Sequence, residues 1–329
     1  MTPLLSLVVL GFRNFDVTTR ACLESLLPWL DDPEIEVLVI DNGSPDDSAQ
    51  KTAAWCAEHP QARCLLSDRN RGYAGGMNWG AEQARGQWLL LVNNDTVFPA
   101  RTLDALKQVV REVPPDVAML GPVTNAAGNG QRLWKPGASH EDWLQIGAWL
   151  NQHPSHQLMP AYRCDFFCIA IRRDAWHELG GLDLEFGLGY YEDFDFSLRL
   201  RKAGYRQMIT EDVFILHVGS ATFQGNAAAR ALIKRNKKLL QSKHPDARFE
   251  HTRLGNLAVV QAYRVLRNRG SWTPELQARV ALRIDALRHD APRSLIKRWL
   301  WKRKIGDLLA VFSAAPLQGT ADTQKHASS

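Results

Sequence analysis

The chain has 329 residues, 45% hydrophobic and 23% charged, a composition that excludes wholesale disorder and leaves room for one large α/β domain with an appendage or for two ordinary domains. Its formal net charge of +5 is unevenly placed: residues 230–238 (RALIKRNKK) and 293–304 (RSLIKRWLWKRK) are strongly basic, whereas the first hundred residues carry acidic groups freely, a distribution that points the C-terminal segment toward an anionic surface. No run of about 18 apolar residues occurs, which argues against a membrane-spanning helix.

The opening TPLLSLVVLGF lacks the basic start and small-residue cleavage site of a secretory signal and reads as a first strand. From there β-like runs alternate with helical patterns: LSLVVLGF, VTTRACLESLLPWL, EVLVIDNG, DDSAQKTAAWCAEH, ARCLLSD, GMNWGAEQAR, WLLLVNND and PARTLDALKQVVREV. Such alternation predicts βαβ units and a mostly parallel central sheet flanked by helices. Strands this continuously apolar are covered on both faces. In such sheets ligands sit beyond the carboxyl ends of the strands, which is where DNGS (41–44), SDRNRG (67–72) and NND (93–95) fall.

Between about 124 and 163 the pattern dissolves into Gly-, Pro-, Asn- and Trp-rich sequence, read as long loops around a short helix. Regularity returns with DFFCIAIRRDAWHELGGLD, a strand and a helix closed by Gly180 and Gly181, and with YYEDFDFSLRLRKAGY, a helix ended by Gly204. Two further β-like runs, YRQMIT and VFILHV, bring the chain to His217, and beyond about 223 it turns helical. The expected division is therefore 1–222 as the α/β domain, 223–315 as a helical extension and 316–329 as a disordered tail.

The five cysteines are odd in number and scattered, which suits buried thiols in a reducing compartment better than disulfides or a zinc site. Gly72, Gly75, Gly76 and Gly80 follow the third strand and do not spell GxGxxG, and no GxxxxGK[ST] loop is present, which disfavours dinucleotide enzymes, kinases and ATPases.

Several polar residues at strand ends admit two readings each. Asp41 directly follows EVLVI: it either accepts from a base or ribose group, or makes a turn with Ser44 and caps the following helix. Asp95 ends WLLLVNND and is either a helix cap or, with the imidazole of His217, a divalent-ion ligand whose remaining partners are phosphate oxygens and water. His217 alone reads more readily as a structural histidine. Arg172 and Arg173 could bind phosphate or equally face solvent, with solvent favoured for one of them, while Arg69, Asn70 and Arg71 are better placed for anionic ligands.

The densest cluster is Glu192, Asp193 and Asp195 in GYYEDFDFSLRLR. A favourable helix-dipole interaction and an i,i+4 pair with Arg199 account for Asp195. They leave two adjacent carboxylates, whose mutual repulsion raises a carboxyl pKa into the range where it can take a proton from a hydroxyl.

In this order, VIDNGSPDDS, NRGYAGGMNWGAEQARGQWLLLVNNDT, GGLDLEFGLGYYEDFDFSLRLRKAGY and FILHVGS resemble the motifs of the family 2 glycosyltransferases of the GT-A fold, especially the rhamnosyl- and galactofuranosyltransferase branch, over about residues 4–222. The resemblance implies inverting transfer of a sugar from a UDP- or dTDP-linked donor, with rhamnose as a candidate, to an acceptor hydroxyl in cell-surface polysaccharide or glycolipid synthesis. It places Asp41, Arg69, Asn70, Asn78, Asn93 and Asn94 on the donor side, Asp95 and His217 on a divalent metal (Mg²⁺ or Mn²⁺), and Asp193 with Glu192 as the acidic pair that supplies the base. Asn93 stands where the family carries the first carboxylate of its DxD motif, so weaker metal binding is expected. The implied partners are the nucleotide diphosphate sugar and a glycan or lipid-linked acceptor, with no nucleic acid, and the implied location is cytoplasmic or peripheral on the inner face of the membrane.

In the last helical stretch Trp301, Ile305, Leu308, Leu309 and Phe312 form one apolar stripe beside Lys302, Arg303 and Lys304, while Leu295, Ile296, Trp299 and Leu300 fall on another face. Core packing is the stronger expectation, contact with an anionic membrane surface the other. Two other functions compete with transfer: a catalytically silent nucleotide-sugar binder or assembly partner, favoured only by Asn93, and nucleotidyl transfer, which ordinarily shows a Gly-rich, basic loop where this chain has GFRNFD.

Overall fold

The computed structural model describes residues 2–219, 227–249 and 251–313; the expected tail and the expected boundary at 222/223 lie outside the described residues. In chain order the elements are β1 (Leu5–Gly11), α1 (Thr19–Glu24), β2 (Ile35–Asp41), α2 (Ser48–Glu58), β3 (Ala62–Leu66), α3 (Gly72–Gln83), β4 (Trp88–Asn93), β5 (Thr96–Val97), α4 (Thr102–Glu112), β6 (Val117–Val123), α5 (His140–Gln152), β7 (Leu158–Pro160), β8 (Cys168–Arg172), α6 (Arg173–Leu179), α7 (Glu192–Lys202), β9 (Arg206–Phe214), β10 (Leu216–His217), α8 (Ala227–Lys243), α9 (Thr252–Asn268), α10 (Pro274–His289) and α11 (Leu295–Ser313).

Eight strands form one sheet in the order β3-β2-β1-β4-β8-β6-β9-β7. The pairs β1–β2, β1–β4, β2–β3 and β6–β9 are parallel, while β8 lies antiparallel between β4 and β6, and β7 is antiparallel at the edge. The sheet is therefore mostly parallel, as the alternation predicts. The antiparallel β8 brings the segment before it, Cys164–Phe167, to the carboxyl end of β4.

Helices cover both faces, which explains why every residue of β1 and β6 is buried. Leu5, Leu7 and Val9 pack with Leu23 of α1, Trp55 of α2 and Leu103 of α4. Val8 and Leu10 pack on the other side with Met77 of α3, Trp176 of α6 and Phe196 of α7. The helix α3 comes very close to the sheet: a Cβ at Gly76 would stand 2.6 Å from Leu10 Cδ1 and one at Gly80 2.4 Å from Val8 Cγ1. These two glycines, four residues apart, thus serve packing rather than phosphate binding.

One sequence expectation needs correction, and another, the helix among the loops of 124–163, is present. The runs YRQMIT and VFILHV are not separate strands but one nine-residue strand, β9, followed by the two-residue β10; the register against β6 shifts between Pro122 and Val123, so the chain turns by an irregularity and not a loop. The loop region 124–163 holds a 13-residue helix, α5, stabilised by a capping box in which Asp142 N–H donates to Ser139 Oγ (3.1 Å) and Ser139 N–H to Asp142 Oδ2 (2.8 Å).

The last helices join the main body through a third apolar core, where Val260 and Tyr263 of α9, Val280 and Leu287 of α10 and Trp301, Ile305, Leu308 and Phe312 of α11 meet Trp143 and Phe214. A buried ionic network fixes this docking. Arg283, fully buried on α10, pairs with Glu211 of β9 and also donates to the Gly130 carbonyl and to Asn256 Oδ1 (2.8 Å). Glu211 accepts a further bond from Tyr263 Oη at 2.7 Å, while Arg279 donates to Leu150 O (2.9 Å) and His153 O (2.6 Å).

Removing a buried ion with this many partners leaves the Glu211 carboxylate without its counter-charge and the Gly130 carbonyl and Asn256 amide oxygen without this donor. Arg283→Met should lower the unfolding free energy by about 3–5 kcal/mol, read as a shift of the urea midpoint; a shift corresponding to less than about 1 kcal/mol would mean that the network does not hold the helices.

Candidate active site

The first wall of the site is assembled where β4 ends. Asn93 N–H donates to Phe167 O (2.9 Å), and the side-chain carbonyl of Asn93 is buried with no hydrogen-bond partner among the described residues. The following turn carries Asp95 into β5, whose antiparallel pairing sets Thr96 opposite His217 of β10. His217 Nε2 consequently lies 3.4 Å from Asp95 Oδ2. Asn125 holds the backbone of His217 in both directions, accepting from its N–H (2.9 Å) and donating to its carbonyl (3.0 Å), and the imidazole stacks on Phe167 at 5.3 Å.

His217 Nδ1 is 2.9 Å from the carbonyl of Ala126. A carbonyl can only accept, so Nδ1 carries the proton and Nε2 faces the carboxylate. Burial opposes the charged ring, but the Asp95 carboxylate and the Ala126 carbonyl outweigh it and raise the His217 pKa above its ordinary value. In its neutral form the ring presents a lone pair beside a carboxylate oxygen, a hard, two-residue corner suited to a divalent cation that takes its other ligands from phosphate and water. The helix-cap reading of Asp95 fails, because α4 begins only at Thr102.

The opposite wall is the start of α7. Residues 187–191 reach it through Gly187, Gly189, Tyr190 and Tyr191, all at positive φ, the two tyrosines at 72° and 76°. Each left-handed tyrosine costs about 1–2 kcal/mol. The strain is held by the fully buried Asn236 of α8, whose amide donates to Phe186 O (2.7 Å), Gly189 O (2.8 Å) and Tyr190 O (3.0 Å). This turn delivers Glu192 and Asp193 into a cavity of about 730 Å³ shared with Asn93 and His217.

Burial, and then the neighbouring Asp193 charge, pushes the Glu192 carboxyl up to about 8. Burial also raises Asp193, to about 6, with the Arg163 guanidinium working against the rise. Two coupled carboxyls that burial raises together hold fewer than two negative charges around neutrality, so the pair can both accept and retain a proton. Asp195 takes no part: it binds Arg199 Nε at 2.7 Å, as the i,i+4 spacing predicts, and His244 Nε2 at 2.7 Å.

The other expected residues do not all converge here. Asp41 is buried and engaged by Ser44, whose N–H (2.9 Å) and Oγ (2.5 Å) both donate to its carboxylate; the turn reading holds, while α2 begins later, at Ser48. Asn94 points away from the cavity and donates to the hydroxyls of Thr18 and Thr19 at 3.0 and 2.8 Å. Arg69, Asn70 and Asn78 line a second depression of about 490 Å³, separated from the first by the turn at Leu188. Within it, Asn78 grips the backbone of Leu182 in both directions at 2.8 Å, and Asn70 accepts from Gly72 N–H at 2.8 Å. Arg172 pairs in register with Trp88 at the far end of β4 and binds Asp174, so it is remote from both depressions.

Sequence reasoning missed several residues. Asn42, 3% exposed, braces the 70–72 loop by accepting from Arg71 N–H (3.1 Å) and donating to Gly72 O (3.0 Å). Arg163 pairs with Asp165 beside Asp193 and lies 5.3 Å from the Phe194 ring centroid. Tyr73 donates to Phe166 O at 2.7 Å on the cavity floor. Arg163 and Asp165 stand two apart before an apolar strand, which was a usable signal; Asn236, embedded in KRNKK, gave none.

The family model described as "Glycosyl transferase family 2" matches residues 8–180. The O-antigen biosynthesis protein RfbC of Myxococcus xanthus is 27% identical over 241 residues, which cover 70% of this chain and 18% of that protein. The N-acetylglucosaminyl-diphospho-decaprenol L-rhamnosyltransferase of Mycobacterium tuberculosis is 26% identical over 208 residues, 56% of this chain and 66% of the relative. The chain thus spans less than two thirds of the length of either. Among solved structures, the mannosyltransferase PcManGT from Pyrobaculum calidifontis, in complex with GDP-Man and Mn²⁺, superposes with a TM-score of 0.54 at 19% identity over 94% of this chain and 81% of that one, a likeness of fold that identifies the architecture as GT-A.

Asn236→Ala removes three hydrogen bonds from a strained turn and leaves buried carbonyls without donors. It should lower the unfolding free energy by about 1–3 kcal/mol and increase amide exchange at 187–192; unchanged exchange there would show that the turn holds itself.

Proposed function

The chain belongs to glycosyl transferase family 2, and from that footing we propose that it is an inverting glycosyltransferase. Its donor is a nucleotide diphosphate sugar, UDP- or dTDP-linked, and its acceptor a hydroxyl of a cell-surface polysaccharide or lipid-linked glycan. The names of the Myxococcus and Mycobacterium relatives support the polysaccharide context and make rhamnose a candidate sugar. The observation that carries the reading is the meeting, in one cavity, of Asp193, with its carboxyl raised to about 6, and the corner formed by Asn93 and His217.

Asp193 is the base. Around neutrality it is ionised, and its environment brings its proton affinity closer to that of a hydroxyl under attack. Glu192, whose carboxyl burial holds protonated, keeps the pair at a single charge and so leaves Asp193 basic without a second repelling anion. Inversion follows when the acceptor hydroxyl, deprotonated by Asp193, displaces the nucleotide from the opposite face of the anomeric carbon. Arg163, adjacent to Asp193, orients that carboxylate and limits how far its pKa rises.

Asp95 Oδ2 and His217 Nε2, with the unpartnered carbonyl oxygen of Asn93, fit a divalent ion such as Mg²⁺ or Mn²⁺. When bound, the ion would supply Lewis-acid neutralisation of the departing diphosphate. Asn93 contributes an oxygen without a charge, so affinity should be modest. Asn70 and Arg69 in the adjacent depression are proposed to meet the donor, whereas Asn78, Asn94 and Asp41 would act on it through the loops they hold.

Three measurements test this. Asp193→Asn should lower kcat by about 10²–10⁴-fold while UDP or dTDP affinity, by calorimetry, stays within about two-fold; nucleotide binding lost in proportion to turnover would remove the base assignment. The base must be deprotonated to act, so kcat/KM of the wild type should rise with pH, bend near 6 and level off above it, and the bend should vanish in the variant. Nucleotide binding with neither transfer nor donor hydrolysis would instead favour a silent binding protein. Asn93→Asp should tighten Mn²⁺ binding by about ten-fold with activity retained; unchanged Mn²⁺ affinity would place the ion elsewhere.

A further inference from the structure

The helix α11 has two apolar faces, and only one is used inside the protein. Trp301, Ile305, Leu308 and Phe312 are buried in the third core. Leu295, Ile296, Trp299 and Leu300 are 82%, 74%, 59% and 53% exposed. At about 100° per residue the second group points to the side opposite the first. From 293 to 306 the sequence carries Arg293, Lys297, Arg298, Lys302, Arg303 and Lys304 and no acidic residue, and the Arg303 guanidinium lies over the Trp299 ring at 5.9 Å.

We propose that the first turns of α11 form an interfacial anchor for an anionic lipid bilayer, with Leu295, Ile296, Trp299 and Leu300 entering the headgroup boundary and the surrounding lysines and arginines meeting lipid phosphates. Three observations choose a bilayer over a protein partner. The charge is of one sign and flanks the apolar residues, the arrangement of an interfacial helix. Basic side chains with an aromatic ring at the polar–apolar boundary suit headgroup depth. Four side chains expose on the order of 500 Å², short of the roughly 800 Å² per partner that a stable dimer buries. Among the described residues no helix is long and apolar enough to cross a membrane, so the contact is one of lying on the surface.

The anchor also has a position relative to the cavity. Arg253 at the start of α9 stands over Trp301 (5.8 Å), and Arg267 at its end over Phe312 (5.9 Å), so α9 and α11 run parallel. Thr252, at the start of α9, donates to Gly128 O at 2.9 Å, and Gly128 lines the cavity. The exposed apolar residues are therefore at the cavity end of the helical group, where lipid contact would bring a lipid-linked acceptor to Asp193. That consequence rests on the transferase reading; the lipid contact itself does not.

The test is flotation of the full chain with phosphatidylcholine vesicles, with and without phosphatidylserine, in the absence of donor and acceptor. Binding is expected only with phosphatidylserine and should weaken as salt rises. Ile296→Glu/Trp299→Glu, both at exposed positions outside the site, should reduce the bound fraction by about ten-fold with an unchanged thermal melt. Failure to float at low salt, or equal flotation of the double variant, would overturn the proposal, as would a dimer in solution that the double variant dissolves. None of these outcomes depends on catalysis, so the anchor and the transferase reading can fail separately.

Discussion

The site depends on one amide. Two successive tyrosines in the left-handed region are a conformation that an isolated peptide would abandon, and they persist because Asn236 supplies donors to three carbonyls of the same turn. If those bonds were absent, α7 could begin a residue or two later, and Glu192 and Asp193 would swing away from the cavity into solvent. Their pKa values would then relax, since burial is the first cause of both shifts. Conformational strain, burial and proton affinity are thus consecutive links of one chain, and the residue that starts it stands on α8, outside the α/β sheet. Leu232, Ile233 and Lys237 of the same helix line the cavity, so α8 contributes directly to the site beyond bracing it.

The second structural constraint is the antiparallel β8. By lying between β4 and β6 it places Phe167 where it can accept from Asn93 N–H and stack on His217. The same segment supplies Arg163 and Asp165 beside Asp193. An all-parallel sheet would have put a strand's end and the loop leaving it, not a strand's start and its approach loop, at this edge. The reversal therefore accounts for how one short stretch of chain serves both walls of the cavity.

What the sequence revealed divides along the range of the interaction. Strand–helix alternation and the Asp195–Arg199 pair are local, and both are present as expected. The Asp95–His217 pairing was proposed from two strand ends alone; what joins them is the two-residue ribbon β5–β10, too short to leave any periodicity. Asn94 and Asn78 were read from their place in motifs, and in the fold each binds a neighbouring segment: hydroxyls of α1 in one case, the Leu182 backbone in the other. An amide serves a ligand and a loop equally well, so residue type could not separate the two roles. Asn236 and Asn42 escaped notice for a related reason. Most of their partners are backbone carbonyls and N–H groups, which every sequence supplies.

In the helix α11 core packing and the proposed lipid contact are compatible, although they look like rivals. In sequence its apolar residues fall on two faces, which suit either the core or a membrane. In the fold, the face carrying Trp301 to Phe312 is covered by α9 and α10, and the face carrying Leu295 to Leu300 projects beyond them. The change of face occurs between Leu300 and Trp301, where the helix passes from open solvent to the packed group. Core packing over the second half makes the first half rigid and fixed in direction. Such an element meets a flat lipid surface without a large ordering cost, because its backbone is already helical before contact. In the proposed lipid contact, the basic residues around it, which packing alone leaves without a role, would be the part of the helix that selects an anionic surface.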